Sequence, residues 1–360
     1  MSRYVGIGTL DPLPLPGQLN HQGIDNIVIR SPRRLVAAAV SIAAGTALLA
    51  STASPAVTSA APGTSLVSST STGAQSADIV VHSASMNRNI PLSVLLPKNR
   101  DKPAGVLYLL NGAGGGEDSA SWQAKTDIKK FFANKNVYVI TPMQGAYTYY
   151  TDWVNADKKL GVNKWSTFLG KELPSVVDST YKTNGKNSIA GISSSATSVL
   201  NLAIEHKGLY KSVGSYSGCA SSSSDMGMMY IRMVVKSRGG ADPENMWGPY
   251  EGGQWKEHDP IVNAAKLKGL SLYLSAATGV PGKYDTPAYT PDPDTLSDQI
   301  VVGGTIEAAT RVCTEMLASK LADLHIPATV DRPAAGSHSW HYWQDQLHKS
   351  WPQLARSIGA

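Results

Sequence analysis

Four short runs without a charge constrain the fold most: Val106 to Leu110 (VLYLL), Val137 to Thr141 (VYVIT), Ser188 to Ile192 (SIAGI) and Leu270 to Leu274 (LSLYL). They are too short for helices of their own and show no strict apolar–polar alternation, so they read as strands buried on both faces. Between them lie stretches with helical spacing. Trp165, Phe168, Leu169, Val176 and Val177 form one, Ala196 to His206 another, and Thr305 to Leu324 a third. Strand and helix therefore alternate, which predicts an α/β domain with a mostly parallel central sheet and helices on both faces. Asp78 to His82 and Pro91 to Leu96, separated by SASMNRN, predict an antiparallel start to that sheet. No internal repeat is present, and Met226 to Gly269 and Pro281 to Asp298 read as helical or loop insertions within a single domain.

The first part of the chain reads differently. Arg30, Arg33 and Arg34 precede Leu35 to Ala50, an uncharged stretch followed by small residues, the pattern of a secretory signal with a long leading region. At about 1.5 Å per residue that stretch reaches roughly 24 Å, short of the roughly 30 Å hydrocarbon core of a bilayer. Residues 1–60 are accordingly expected to be the signal. Residues 61–77, rich in Ser, Thr, Ala, Pro and Gly, are expected to be a disordered spacer, with the folded domain over 78–360. Export would make a bridge between the two cysteines, Cys219 and Cys313, the expected state. A net charge of +5, with basic residues scattered and in no long run, does not favour a nucleic-acid partner.

The chemistry concentrates in three places. Ser188 to Leu200 (SIAGISSSATSVL) reads strand, sharp turn, helix, the layout of a nucleophile elbow. The residues two before and two after the nucleophile must be small, and Gly191 and Ser195 satisfy this around Ser193. The helix behind it aims amide dipoles at the place where negative charge would develop. Leu107 to Gly116 (LYLLNGAGGG) places a glycine-rich turn after a buried strand, where α/β-hydrolases keep one oxyanion amide; Ser194 would supply the other. Near the C-terminus, His338 in GSHSW is the histidine on a Gly- and Ser-containing loop, in the chain order that puts the base last. Position alone leaves the acid open among Asp285, Asp292, Asp294 and Asp298, with Glu307 later at a helix opening.

From about Asp78 onward the chain resembles the secreted mycolyltransferases of the antigen 85 type, in particular their corynebacterial-type relatives. The resemblance rests on YLLNGAGGG, YYTDW, NKWSTFL, GISSSA, SYSGC and GSHSWHYW, all in the family's order. It implies an α/β-hydrolase fold and a Ser-Glu-His triad of Ser193, Glu307 and His338, so the family settles the acid on Glu307. It also implies oxyanion amides at Ala113 and Ser194, and Trp340 beside the acyl and sugar site. Where family members grip trehalose with an aspartate and an arginine, this chain has Asn111 and Gly114; a neutral Asn111 retains hydrogen-bonding groups for a sugar hydroxyl.

The activity implied is transfer of a mycolyl group from trehalose monomycolate to a second trehalose monomycolate or to cell-wall arabinogalactan. No metal or cofactor is implied, and the expected setting is a secreted monomer associated with the cell envelope. A secreted carboxylesterase with the same triad, and a non-catalytic carbohydrate-binding protein of the envelope, are the competing readings.

Overall fold

Nine strands form one sheet: β1 (Ser65–Gly73), β2 (Ser76–Ser83), β3 (Arg88–Leu95), β4 (Ala104–Leu110), β5 (Val137–Pro142), β6 (Thr183–Ile192), β7 (Tyr210–Tyr216), β8 (Ser271–Ser275) and β9 (Ala328–Asp331). The structure, a computed structural model, describes residues 63–360. The signal expected over residues 1–60 lies outside the described residues. The spatial order is β1-β2-β3-β5-β4-β6-β7-β8-β9. The first pairings, through β3 with β5, are antiparallel, and all those from β5–β4 to β8–β9 are parallel. This is the mostly parallel α/β sheet predicted by the alternation of strand and helix, and it fits the α/β-hydrolase fold that the resemblance implies.

Every residue of β4 is buried, and its side chains alternate between two cores. Val106, Tyr108 and Leu110 pack with Leu169, Val199 and Leu317 on one face. Leu107 and Leu109 pack with Trp122, Leu347 and Leu354 on the other. A strand whose neighbours in sequence face opposite cores has no polar side to show, which is why the run is apolar throughout. The Met226 to Gly269 insertion folds into short helices, and Trp247, Trp255 and Met246 form a third, smaller core with Tyr149 and Trp153.

One expectation is corrected. The Ser- and Thr-rich segment given as a disordered spacer contains β1, which pairs antiparallel with β2. All nine of its side chains are exposed, so there was nothing in the hydropathy to mark it. The strand is held instead by its backbone ladder across a two-residue hairpin, Ala74–Gln75, between the paired Gly73 and Ser76.

Candidate active site

β6 ends at Ile192 and the helix Ser194–Glu205 starts two residues later, so Ser193 alone makes the turn. Its backbone sits at φ 55° and ψ −126°, a conformation that costs on the order of 1–3 kcal/mol for a residue with a side chain. The surroundings fix it. The Ser193 amide donates to Tyr216 O at 3.0 Å. Ser195 Oγ accepts from Ile192 N at 3.0 Å and donates to Ile192 O at 2.9 Å. A Cβ at Gly191 would lie 2.6 Å from Ser195 Oγ and 2.8 Å from Ser195 O, so only glycine fits beneath the turn.

The strain aims the hydroxyl at His338. Ser193 Oγ lies 2.9 Å from His338 Nε2, and His338 Nδ1 lies 2.8 Å from Glu307 Oε2. Glu307 is 2 % exposed. Its Oε1 accepts from Ser217 Oγ at 2.8 Å and from Ala277 N at 2.7 Å, just past the end of β8. An ionised carboxylate accepts only, so His338 carries its proton on Nδ1 and leaves Nε2 to accept from Ser193. The Asp candidates for the acid go elsewhere. Asp292 caps the short helix Pro293–Asp298, and Asp294 and Asp298 are exposed. Asp285 is buried against the loop that carries His338.

The glycine-rich turn after β4 faces the elbow. Gly115 has φ +63°, and a Cβ there would meet Ala146 N at 2.5 Å, so this residue type is required for the turn to close. Ala113 lines the same cavity as Ser193 and Ser194. Among the described residues, neither the Ala113 nor the Ser194 amide donates to a backbone or side-chain acceptor.

Asn111, expected to meet the sugar, does not reach the cavity. It is 0 % exposed, donating to Pro142 O at 3.1 Å and Gly115 O at 3.4 Å and accepting from Trp122 N at 3.0 Å. Its amide is consumed in holding the turn, which corrects the expectation of a substrate contact. Gly114 does line the cavity, beneath the Asp118 carboxylate.

Two openings meet at Ser193. A narrow pocket of about 60 Å³ runs past Tyr149, Tyr230, Ile231, Met233 and Val234. A wider cleft of about 460 Å³ carries Trp340, Val302 and Ile306 on its apolar side and Asp118, Arg238 and Gln299 among its polar groups. Ser193, His338, Ala113, Arg238 and Ile306 belong to both. Trp340 packs edge-on against Trp122 and Trp343, and Trp343 stands edge-on to the His338 ring while donating to Ser217 Oγ at 3.1 Å.

Sequence reasoning missed Ser217, Ala277, Trp343 and Arg238. For Ser217 a signal exists in SYSGC: a serine directly after a buried strand and before glycine, here at φ 55°. Cys219 and Cys313 are disulfide-bonded across 94 residues of chain. The bridge ties the turn after β7 to the helix Gly304–Asp323 that bears Glu307, and in the chain-entropy picture a closed loop of that length stabilises a fold by about 4–5 kcal/mol. Among the described residues no group of three His, Cys, Asp or Glu is placed to hold a metal ion, and no helix is long and apolar enough to cross a membrane.

Asp285 carries a pH dependence. Burial pushes its carboxyl up, but hydrogen bonds from Ser337, Gly282, Gln299 and Tyr342 outweigh this and hold it below its ordinary value of 3.8. A carboxyl depressed on folding contributes stability above its unfolded pKa that is lost as pH falls through the folded one. The melting-temperature gap between wild type and Asp285→Asn is therefore expected to be full at pH 6 and to shrink below about pH 4. Thermal melts from pH 6 to 2.5 check this; a gap that stays constant contradicts it.

Fold and elbow together define an α/β-hydrolase. The esterase family matches residues 83–354, and the chain belongs to it. Within that family its relatives are acyltransferases. It is 30% identical over 291 residues to the diacylglycerol acyltransferase/mycolyltransferase Ag85A of Mycobacterium leprae, covering 78% of this chain and 82% of the relative. It is 30% identical over 295 residues to Ag85B of Mycobacterium avium, at the same coverage. The crystal structure of Mycobacterium tuberculosis MPT51 (FbpC1) superposes with a TM-score of 0.67 at 26% identity, over 79% of this chain and 100% of the other. The chain is thus an acyl-transferring enzyme of the mycolyltransferase group.

Proposed function

We propose that the chain moves a mycolyl group from trehalose monomycolate, through an ester on Ser193, to a second trehalose monomycolate or to cell-wall arabinogalactan. The observation that carries this reading is the hydrogen-bonded line Ser193–His338–Glu307 at the junction of a narrow pocket, whose far wall carries Ile231, Met233 and Val234, and a wider cleft that carries Trp340 with Asp118 and Arg238. The first suits a lipid chain, the second a sugar.

Ser193 Oγ attacks the ester carbonyl as its proton passes to His338 Nε2, and Glu307 steadies the imidazolium. The amides of Ala113 and Ser194 receive the oxyanion. Collapse breaks the bond to the sugar oxygen, which leaves with the proton from His338. An acceptor hydroxyl then gives its proton to His338 and attacks the acyl-enzyme carbonyl, and the bond to Ser193 Oγ breaks as Oγ takes that proton from His338. Trp340 presents an apolar face to the sugar rings, and Asp118 and Arg238 supply an acceptor and a donor for their hydroxyls. An exported, envelope-associated enzyme fits the uncharged stretch behind Arg30, Arg33 and Arg34 and a substrate held in the wall.

Product analysis with and without added trehalose tests the transfer step. With a p-nitrophenyl acyl ester as donor, acyl-trehalose is expected to dominate when sugar is present, with free acid minor. Free acid in the same yield under both conditions would make the enzyme a carboxylesterase. Absence of covalent labelling by a serine-directed phosphonate would leave only carbohydrate binding.

A further inference from the structure

The loop that carries His338 is anchored by a buried carboxylate that the acyl-transfer reaction itself does not use. Asp285 is 7 % exposed, and both its oxygens are taken by neutral donors from three separate segments. Oδ2 accepts from Gly282 N at 2.8 Å and from Tyr342 hydroxyl at 2.7 Å. Oδ1 accepts from Gln299 Nε2 at 2.7 Å and from the hydroxyl of Ser337, the residue directly before the histidine. A buried charge without a cation beside it is costly unless its lone pairs are satisfied, and here four donors converge on it.

The donors are not scattered. Gln299 opens the helical turn Gln299–Gly303, whose last carbonyl, Gly303 O, accepts from His338 N at 3.2 Å. Gln299 and Gly303 also line the wide cleft that adjoins Ser193. Gly336, on the other side of Ser337, donates to Val280 O at 2.7 Å and accepts from Gly279 N at 3.1 Å. Residues 336–338 are thus pinned at each position, and the central pin is a charge.

We infer that Asp285 is a positioning residue for the general base: its carboxylate ties the His338 loop to the cleft wall and sets the reach of Nε2 to Ser193. This rests on the reading of His338 as that base. Asp285 acts on the rate only through His338, because it reaches neither Ser193 nor the Ala113 and Ser194 amides. An amide in its place keeps the shape but presents N–H groups to donors, so two of the four bonds are lost.

The test is a set of variants assayed with a short-chain p-nitrophenyl ester, rates being normalised to the concentration of folded protein. Asp285→Asn is expected to lower kcat by about 10- to 100-fold with KM within about 2-fold, the scale set by a displacement of order 1 Å. In a His338→Ala background the same substitution is expected to have no further effect, since the group it positions is gone. Ser337→Ala, which removes one bond and leaves the charge, is expected to give a smaller loss of the same kind and covers the case in which Asp285→Asn does not fold.

A loss in the His338→Ala background as large as in wild type would make Asp285 a general stabiliser and overturn the inference. So would a change under about 3-fold in wild type. Full activity of His338→Ala by itself would instead sink the assignment of the base, which is a separate failure.

Discussion

Ser193→Ala is expected to lower kcat by about 10⁴- to 10⁶-fold and to abolish any covalent acyl species, while leaving the fold intact. The strained turn is imposed by its frame, not by the serine hydroxyl. Tyr216 O holds the Ser193 amide, Ser195 braces Ile192, and Gly191 leaves room beneath. Alanine fits the same backbone, so a melting temperature near that of wild type should accompany the lost rate. The residual rate, still above that in water, would come from the Ala113 and Ser194 amides and from substrate binding. A thermal melt beside a steady-state assay measures both, and a phosphonate that labels wild type should leave the variant unlabelled. A variant that retains more than a hundredth of the wild-type rate would place the nucleophile elsewhere.

Glu307→Gln is the second large effect, expected at about 10⁴-fold in kcat with little change in KM. The reason lies in which way the amide must turn. Oε1 of Glu307 faces Ala277 N–H, a donor that cannot rotate, and Ser217 Oγ. Glutamine must present its oxygen there, which directs its NH₂ at His338 Nδ1. The imidazole then carries its proton on Nε2, the wrong tautomer to accept from Ser193. Were the loss only a few-fold, the carboxylate would not be orienting the base, and the acid would have to be sought among the other groups of the cleft.

The sheet was legible because the buried stretches of its central strands carry no charge. β4 and β5 are buried throughout, as are Asn187 to Ile192 of β6 and Leu272 to Ser275 of β8, and the alternation between them and the helices leaves few other architectures. β1 was not legible for the complementary reason. It buries no side chain, and what holds it is a ladder of backbone groups that every sequence possesses.

The elbow could be read from residue size alone, since the turn admits only small residues at the flanking positions, Gly191 and Ser195. The acid could not. Four aspartates share the region after β8, and position does not reveal that Asp285 turns towards Ser337 while Glu307, a helix later, turns towards His338. Only the resemblance pointed to Glu307. Asn111 shows the limit on the ligand side: an amide in a glycine-rich turn beside the site looks available to a sugar, but burial and three backbone partners have already used it. Arg238 was hidden because it comes from the helical insertion, far in sequence from every motif around the cleft.

The most direct test incubates the chain with trehalose monomycolate and follows protein and lipid together by mass spectrometry. A mycolyl adduct on the peptide containing Ser193 is expected, formed as trehalose is released and decaying as trehalose dimycolate appears. An adduct on another residue, or turnover of the lipid with Ser193 unmodified throughout, would contradict it.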